Sequence, residues 1–313
     1  MQLLYHEQAK ARGIYIIQSA GYDSLLCEVS NNLIREALPD VNSVDCFMGS
    51  DRGEHGYKVN TGTFHSVLAM ISQLSELGET RKALHATVFE NVKPNIEYEH
   101  KLSLWPIKAS WSQRLWGVPL SFSIDALNTK RSQLMSYIER KERPIQFNQY
   151  LIVTNVFAAF AALILRYLFV LAALVPFTLD LMWKYPIICT LGSYDPNGPT
   201  KQQCDTTRGK LLFVARGWRD TSANKSKSSP PTDKIYCVVR LPDPGYNATS
   251  ICMVQSGLTV LFESEKMPSQ GGVLTPGFAF RDTDIAGRLN RNGISIKIKD
   301  QLFSYFYLPY ELC

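Results

Sequence analysis

Hydrophobic and polar positions follow two periods along the chain. "GIYIIQSA" (13–20), rich in β-branched and aromatic residues, predicts a strand, and the preceding "MQLLYHEQAKAR" predicts a helix. Together they read as the second half of a β-α-β unit whose opening strands do not precede Met1. "SVDCFMGS" (43–50) is a second strand, and Val67, Met70, Ile71 and Leu74 give helical spacing over 61–79, with Asn60 or Thr61 as the cap. Residues 94–129 mix Pro94, Pro106, Gly117 and Pro119 with Trp105, Trp111 and Trp116, which predicts irregular packing. "LNTKRSQLMSYIERKER" (127–143) reads as an exposed amphipathic helix. "KLLFVARGW" (210–218) and "DKIYCVVRLP" (233–242) read as an antiparallel hairpin joined by a polar connector. A helix over 247–263, a glycine-punctuated loop over 271–280, and a capped helix, Gly turn and strand over 282–299 complete the pass.

One stretch breaks the pattern. Residues 151–183 carry only Arg166 and Asp180 as charges. Read as helix from Leu151 to Leu165 the stretch spans ~22 Å, short of a ~30 Å hydrocarbon core. Continuing through Arg166 to Val175 makes spanning possible, at ~2.5–3.5 kcal/mol for a mid-helix arginine. Pro176 ends or kinks it. A bilayer-spanning helix, a hairpin or oblique helix lying in one leaflet, and a buried helix of a soluble core all stay open. Membrane contact is the favoured reading, and Arg140, Lys141 and Arg143 at the entry favour a cytosolic N-terminal flank.

Composition narrows the class without naming a chemistry. The chain has 313 residues, 45% hydrophobic and 19% charged, enough for two domains and a sizeable core. A net charge of +5, from 33 basic and 28 acidic residues, is too small an excess to argue for nucleic acid, which we set aside. Seven cysteines without a C-x-x-C pair suit reduced thiols better than disulfides or a zinc site. The sequons at Asn224 and Asn247 are read as unmodified, since no signal-peptide hydrophobic region opens the chain.

Motif searches return little. No G-x-G-x-x-G appears, and "GSDRGEHG" (Gly49, Gly53, Gly56) has the wrong spacing for a phosphate cradle, so it reads as a solvent loop. Ser222 and Lys225 match S-x-x-K inside the polar connector, where nothing would hold a nucleophile against its base. Glu54, His55 and His65 lack the spacing of metal ligands, and no metal is expected. Cys27 reads either as a thiol nucleophile or, more simply, as a small buried residue. "GYDS" is more informative. Gly21, Asp23 and Ser24 follow a strand end, where open parallel sheets bind ligands; turn chemistry explains the same residues equally well.

Several stretches taken together, "YHEQAKARGIYIIQSAGYDS", "GPTKQQ", "GYNATSICMVQSGLTVL" and "GGVLTPGFAFRDTDIAGRLNRNGI", resemble the saccharopine dehydrogenase-like oxidoreductases, in order over nearly the whole chain. The resemblance implies an NAD- or NADP-linked oxidoreductase of the lipid-droplet and membrane-associated type, with relatives in glycolipid synthesis and no assigned substrate. It implies an α/β fold with an α+β insert: an incomplete Rossmann-type domain without its fingerprint strands, a mixed or antiparallel sheet domain, and a hydrophobic membrane-associated helix. The expected boundaries are 1–40 for the Rossmann part, 41–150 and 184–270 for the insert, 151–183 for the hydrophobic helix, and 271–313 for a helix and strand returning beside "GIYIIQSA".

The site residues carried over are Gly21, Asp23 and Ser24 at a substrate or cofactor pocket, and Gly62 and Thr63 at a helix start facing it. Gly271, Gly272, Thr275, Pro276 and Gly277 would shape the return loop. The chain departs from the family pattern at Leu26, Glu28 and Ser30, where proline, aspartate and glycine are expected, and at Asn60 and Thr61, which replace a basic and acidic pair. An N-terminal nucleotide-binding half would then be needed for activity. The competing reading is a catalytically inert lipid-surface protein that keeps the fold and the anchor. The expected partner is a membrane or lipid-droplet surface with the soluble part in the cytosol; a homo-oligomer stays open.

Overall fold

The computed structural model describes residues 1–98, 101–112, 114–120, 123–220 and 230–302. Its centre is a seven-stranded mixed sheet. The long strand β2 (Asp40–Asp51) lies between β6 (Gln146–Val153), parallel to it, and β8 (Arg208–Trp218), antiparallel. Beyond β8 come β9 (Asp233–Pro242) and β11 (Ser295–Lys299); beyond β6 come β5 (Trp116–Pro119) and β4 (Ile107–Lys108). Two strand pairs stand apart: β1 (Tyr15–Ile17) with β10 (Gly272–Leu274), and β3 (Val59–Asn60) with β7 (Tyr194–Asp195), both parallel.

Alternation along the strands explains why the sheet is covered on both faces. Leu211, Phe213 and Ala215 of β8, with Val44 and Cys46 of β2, enter the main core, whereas Leu212, Val214 and Phe47 point into a smaller one with Tyr150 and Trp111. The main core is roofed by α2 (Tyr22–Ala37), which packs on β2, β9 and β11. Around it stand α5 (Ile124–Arg140), α10 (Thr249–Phe262), α11 (Pro276–Ala279) and α12 (Ile285–Arg291). The α1 helix (Gln2–Ala11) lies on β10, and the remaining helices are α3 (Thr61–Ser72), α4 (Leu74–Thr87), α6 (Val156–Ala173), α7 (Pro176–Lys184), α8 (Pro186–Cys189) and α9 (Lys201–Thr206).

The fold is mixed α/β, and the hairpin of β8 and β9 forms as the alternation predicts. Three expectations are corrected. The closing strand does not return to β1: β11 pairs antiparallel with β9, Ser295 opposite Arg240, where Ile296 can be buried. The short segment 272–274, read as loop, supplies the partner of β1 instead, Tyr15 opposite Gly272. It is held there by glycine: Gly271 has φ +67°, and a Cβ on it would stand 2.6 Å from the Ile14 carbonyl oxygen.

The second correction concerns α5, which is not an exposed amphipathic helix. Its polar residues Asp125, Asn128, Thr129, Ser132, Gln133 and Ser136 are buried, and Asp125, Asn128, Ser132 and Gln133 bond polar groups of other elements. The third concerns 151–183. Residues up to Val153 belong to β6, paired with β5, and the helix begins only at Val156, where the Asn155 side chain accepts from the Ala158 N–H at 2.9 Å. Pro176 opens α7 at its first turn, where its missing N–H costs nothing. Asn224, Ser222, Lys225 and Cys313 lie outside the described residues.

In the sheet centre, an ion pair joins the almost wholly enclosed Asp45 of β2 to the partly buried Arg216 of β8 at 2.6 Å. Arg216→Ala leaves that carboxylate uncompensated and is expected to cost about 3 kcal/mol in chemical denaturation. Adding Asp45→Asn should recover part of the loss, and equal instability of single and double variants would show that the pairing is not what Arg216 contributes.

Candidate functional site

The N-terminal half of α2 carries the candidate chemistry. Gly21 is the N-cap, in extended conformation, and no side chain caps the helix. Ser24 in the first turn is buried and donates its hydroxyl to Asp125 Oδ1 at 3.0 Å, while Asn128 Nδ2 donates to Ser24 Oγ at 2.9 Å. Gln149 of β6 donates to the other Asp125 oxygen at 2.7 Å. One turn further along α2, Glu28 accepts the Ser132 hydroxyl at 2.7 Å and the Gly277 backbone N–H. With its proton given to Glu28, the Ser132 hydroxyl accepts from the Thr275 hydroxyl 2.5 Å away. Arg131 braces the cluster from α5, donating from Nε to Gln2 Oε1 at 3.1 Å, from Nη1 to Asn128 Oδ1 at 3.2 Å and from Nη2 to Gln18 Oε1 at 3.1 Å.

Three carboxylates therefore stand close together, and their surroundings favour the protonated forms. Burial pushes the Glu28 carboxyl up to about 7, against the stabilising pull of Ser132 and the Gly277 N–H. Asp23 is also raised to about 7, by the protein packed around it and by the neighbouring Asp125 carboxylate, although it still reaches solvent. Asp125 itself is raised by burial, with Gln149 and Ser24 opposing. An acid that titrates near neutrality and touches water can give or take a proton, while the hydroxyls of Ser24, Ser132 and Thr275 serve the neighbouring carboxyls of Asp125 and Glu28.

The expected residues separate. Asp23, Ser24, Thr275 and Gly277 come together, with Gly21 beside Thr249 and Pro276 opening α11. Gly277 must be glycine, since a Cβ there would lie 2.8 Å from Glu28 Cβ. Gly271 and Gly272 serve the β1–β10 pairing and the approach of His6, whose Nδ1 accepts from the Val273 N–H at 3.3 Å. Gly62 and Thr63 start α3, which packs on α6, α7 and α8. The Gly62 N–H donates to the Asn60 side chain, and Asn60 in turn reaches the Tyr246 hydroxyl, but no hydrogen bond among the described residues links them to the Asp23 group. Cys27 is buried, and its hydrogen bond with Cys46 together with burial holds the thiol well above its ordinary range, which makes it an inert residue. His65 stacks on Trp183, ring centres 4.4 Å apart.

Asp125, Asn128, Arg131, Ser132 and Gln149 escaped the sequence reading. The signal for the first four was present as polar residues at helical spacing on α5, beside the apolar Leu127, Leu134 and Ile138.

The described residues do not form a cradle for a dinucleotide pyrophosphate. The one strand-to-helix turn of the right kind, β1 to α2, carries the acid Asp23 in the first helical turn with Asp125 behind it. A carboxyl side chain in that first turn, with no glycine-rich turn before it, takes the place beside the bare N–H groups that a pyrophosphate would need. No step through a nicotinamide is therefore derived from these residues.

Glu28 makes the site testable through stability. Its folded value of about 7 lies above the 4.5 of an ordinary glutamate, so between those values the folded chain holds the proton more tightly than the unfolded one. Stability should then be greatest below about pH 4.5 with respect to this group and fall as pH rises to 7, by about 3 kcal/mol. Glu28→Gln should flatten the thermal midpoint between pH 5 and pH 8; an unchanged pH slope would place the buried charge elsewhere.

Comparison with known proteins closes the question of family. No protein-family model matches the chain. The human "Saccharopine dehydrogenase-like oxidoreductase" is 30% identical over 301 residues, covering 95% of this chain and 68% of the human protein. The Caenorhabditis elegans "Lipid droplet localized protein" is 27% identical over 308 residues, covering 96% and 71%. Among solved structures, the apo saccharopine dehydrogenase (L-Glu forming) of Saccharomyces cerevisiae is 12% identical with a TM-score of 0.42, covering 95% of this chain and 76% of the yeast one, a likeness too weak to speak for the fold. With nearly the whole length aligned to the human protein, the chain belongs to the saccharopine dehydrogenase-like oxidoreductases.

Proposed function

We propose that the chain is a lipid-surface member of this family, held on a membrane or lipid-droplet surface by α6, α7 and α8, and that its Asp23 cluster is the acid-base side of an oxidoreductase pocket. The observation that carries the lipid-surface reading is the way α6 is mounted. The helix has 18 residues, about 27 Å, with mean hydropathy 2.3 and only 17% of that window buried, which argues against a soluble core helix. It is nevertheless fastened along its length. Ala159 and Leu163 pack on Val118 near one end, Ala173 packs against Phe64, Leu68 and Ile71 near the other, and Arg166 between them donates to the Pro119 carbonyl.

A helix so fastened would have to leave its own domain in order to cross a bilayer, so an in-plane orientation is favoured over spanning. Its free side offers Phe157 at 84% exposure and Leu165, Leu168 and Leu171, continued by Phe177 at 76% and Ile188 at 72%. Such a stripe suits insertion into one leaflet to the depth of the acyl boundary. Trp183 and Tyr185 near the end of α7 have the amphipathic character of interfacial anchors.

On this reading α1, β1, α2, β10 and α11 are the Rossmann-type part and the seven-stranded sheet is the inserted domain. NAD or NADP would be held outside the Asp23 cluster, and the cofactor takes no part in what these residues do: they orient a substrate group and move a proton at Asp23. The inert lipid-surface reading has its own support in the acid that stands at the α2 N-terminus. NADPH and NADH fluorescence titration of the native protein separates the two. Saturable binding supports the oxidoreductase; none supports the inert protein.

The lipid reading is tested by flotation with phospholipid-coated triolein droplets. The wild type should float, and Phe157→Ser with Leu165→Ser and Phe177→Ser, all at exposed positions, should shift most of the protein to the soluble fraction. Undiminished flotation would overturn the assignment to α6 and α7.

A further inference from the structure

A second candidate site shares α5 and β6 with the acid cluster but is lined by none of the cluster's side chains, nor by any residue of α6 to α8. A cleft of about 640 Å³ opens between α5, the start of β6 and residues 93–98 and 101–104. These residues are tied down beside the strand: Tyr98 donates its hydroxyl to the Pro144 carbonyl at 3.1 Å, and Asn148 Nδ2 donates to the Ser103 carbonyl at 2.8 Å. The floor is apolar, with Leu102, Leu134, Ile145 and Phe147. The rim carries Lys93, Lys101 and Lys130 with His85, and among the described residues no carboxylate lines the cleft. None of the three lysines forms an ion pair among the described residues.

At its base, Gln133 is 92% buried, its exposure being 8%. Its Oε1 accepts the Ile145 N–H at 2.6 Å, which fixes the orientation of the amide and leaves Nε2 without a partner. A buried unpaired donor is costly, and an acceptor supplied by a ligand removes that cost. Lys130 and Gln133 are three residues apart on one helix, so the free donor and a cation share a face. The volume falls within the range of small-molecule sites, about 300–1,000 Å³.

We infer that this cleft binds an anionic amphiphile, a single acyl chain with a carboxylate or phosphate head, the chain lying on Leu102, Leu134 and Phe147 and the head meeting Lys101, Lys130 and the free amide of Gln133. Charge complementarity selects the head, and the apolar floor selects the tail. The inference does not rest on the lipid-surface reading, since it uses none of the residues of α6 to α8.

The probe is cis-parinaric acid below its micellar concentration, titrated into the whole protein by fluorescence and displaced by oleate, 1-oleoyl lysophosphatidate, monoolein or inorganic phosphate. Saturable binding is expected. Displacement by oleate or lysophosphatidate should be at least tenfold stronger than by neutral monoolein, and the tighter of the two anionic competitors identifies the head. Lys101→Glu with Lys130→Glu, both on the surface, should raise Kd at least tenfold with unchanged circular dichroism, and Gln133→Leu should raise it severalfold. Flotation variants in α6 should bind the probe normally. The inference is overturned if monoolein competes as well as oleate, if the charge reversals leave Kd unchanged, if inorganic phosphate displaces the probe as well as the lipids do, or if no saturable binding is seen.

Discussion

The placement of Glu28 governs much of the rest of the molecule. A carboxyl 2% exposed in the middle of α2 has to find donors, and it finds one on α5 and one on the backbone of α11. Three segments separated by more than a hundred residues are thereby fixed at one point, with Gly277 bare of a side chain so that the carboxyl can reach its N–H. The desolvation that makes this contact costly also raises the proton affinity of the group. Packing and titration are two sides of the same burial. Ser24, Asp125 and Thr275 are carried into place by it, and a side chain added at Gly277 acts on the acid cluster by pressing on Glu28, with every acid left in the sequence.

What could be read in the sequence follows from which forces leave a period behind. The strands β8 and β9 bury alternate residues on both faces and were plain in "KLLFVARGW" and "DKIYCVVRLP". The α2 site was half legible, because Gly21, Asp23 and Ser24 stand at a strand-to-helix turn, while Glu28 appeared only as a departure from a family pattern. The α5 half was hidden. Its buried stripe is polar, and a reading that equates polar with exposed turns such a helix inside out. The pairing of β11 with β9 was hidden for a different reason: a five-residue strand with two isoleucines fits any open edge, and register across the chain is set by the neighbours it meets.

Residues 151–183 show the same limit in the opposite direction. Composition marked them as apolar, yet Leu151 to Val153 are strand because β5 offers them a partner, and only the residues after Asn155 are free to coil. Arg166, which a spanning helix would have to carry through hydrocarbon, has a carbonyl of its own domain to bind. The charge that looked like an obstacle to insertion is instead a fastening.

That fastening bears on which lipid structures such a helix can tell apart. A transmembrane segment must match its length to the distance between two aqueous phases, and mismatch sorts it among membranes. A helix laid lengthwise on its domain, presenting one stripe from Phe157 to Ile188, has no second aqueous phase to reach. On the proposed lipid-surface reading, membrane thickness would not enter its free energy. A phospholipid monolayer over oil, which has only one water boundary, would then meet its needs as fully as a bilayer does, with partition between the two left to how loosely the headgroups are packed.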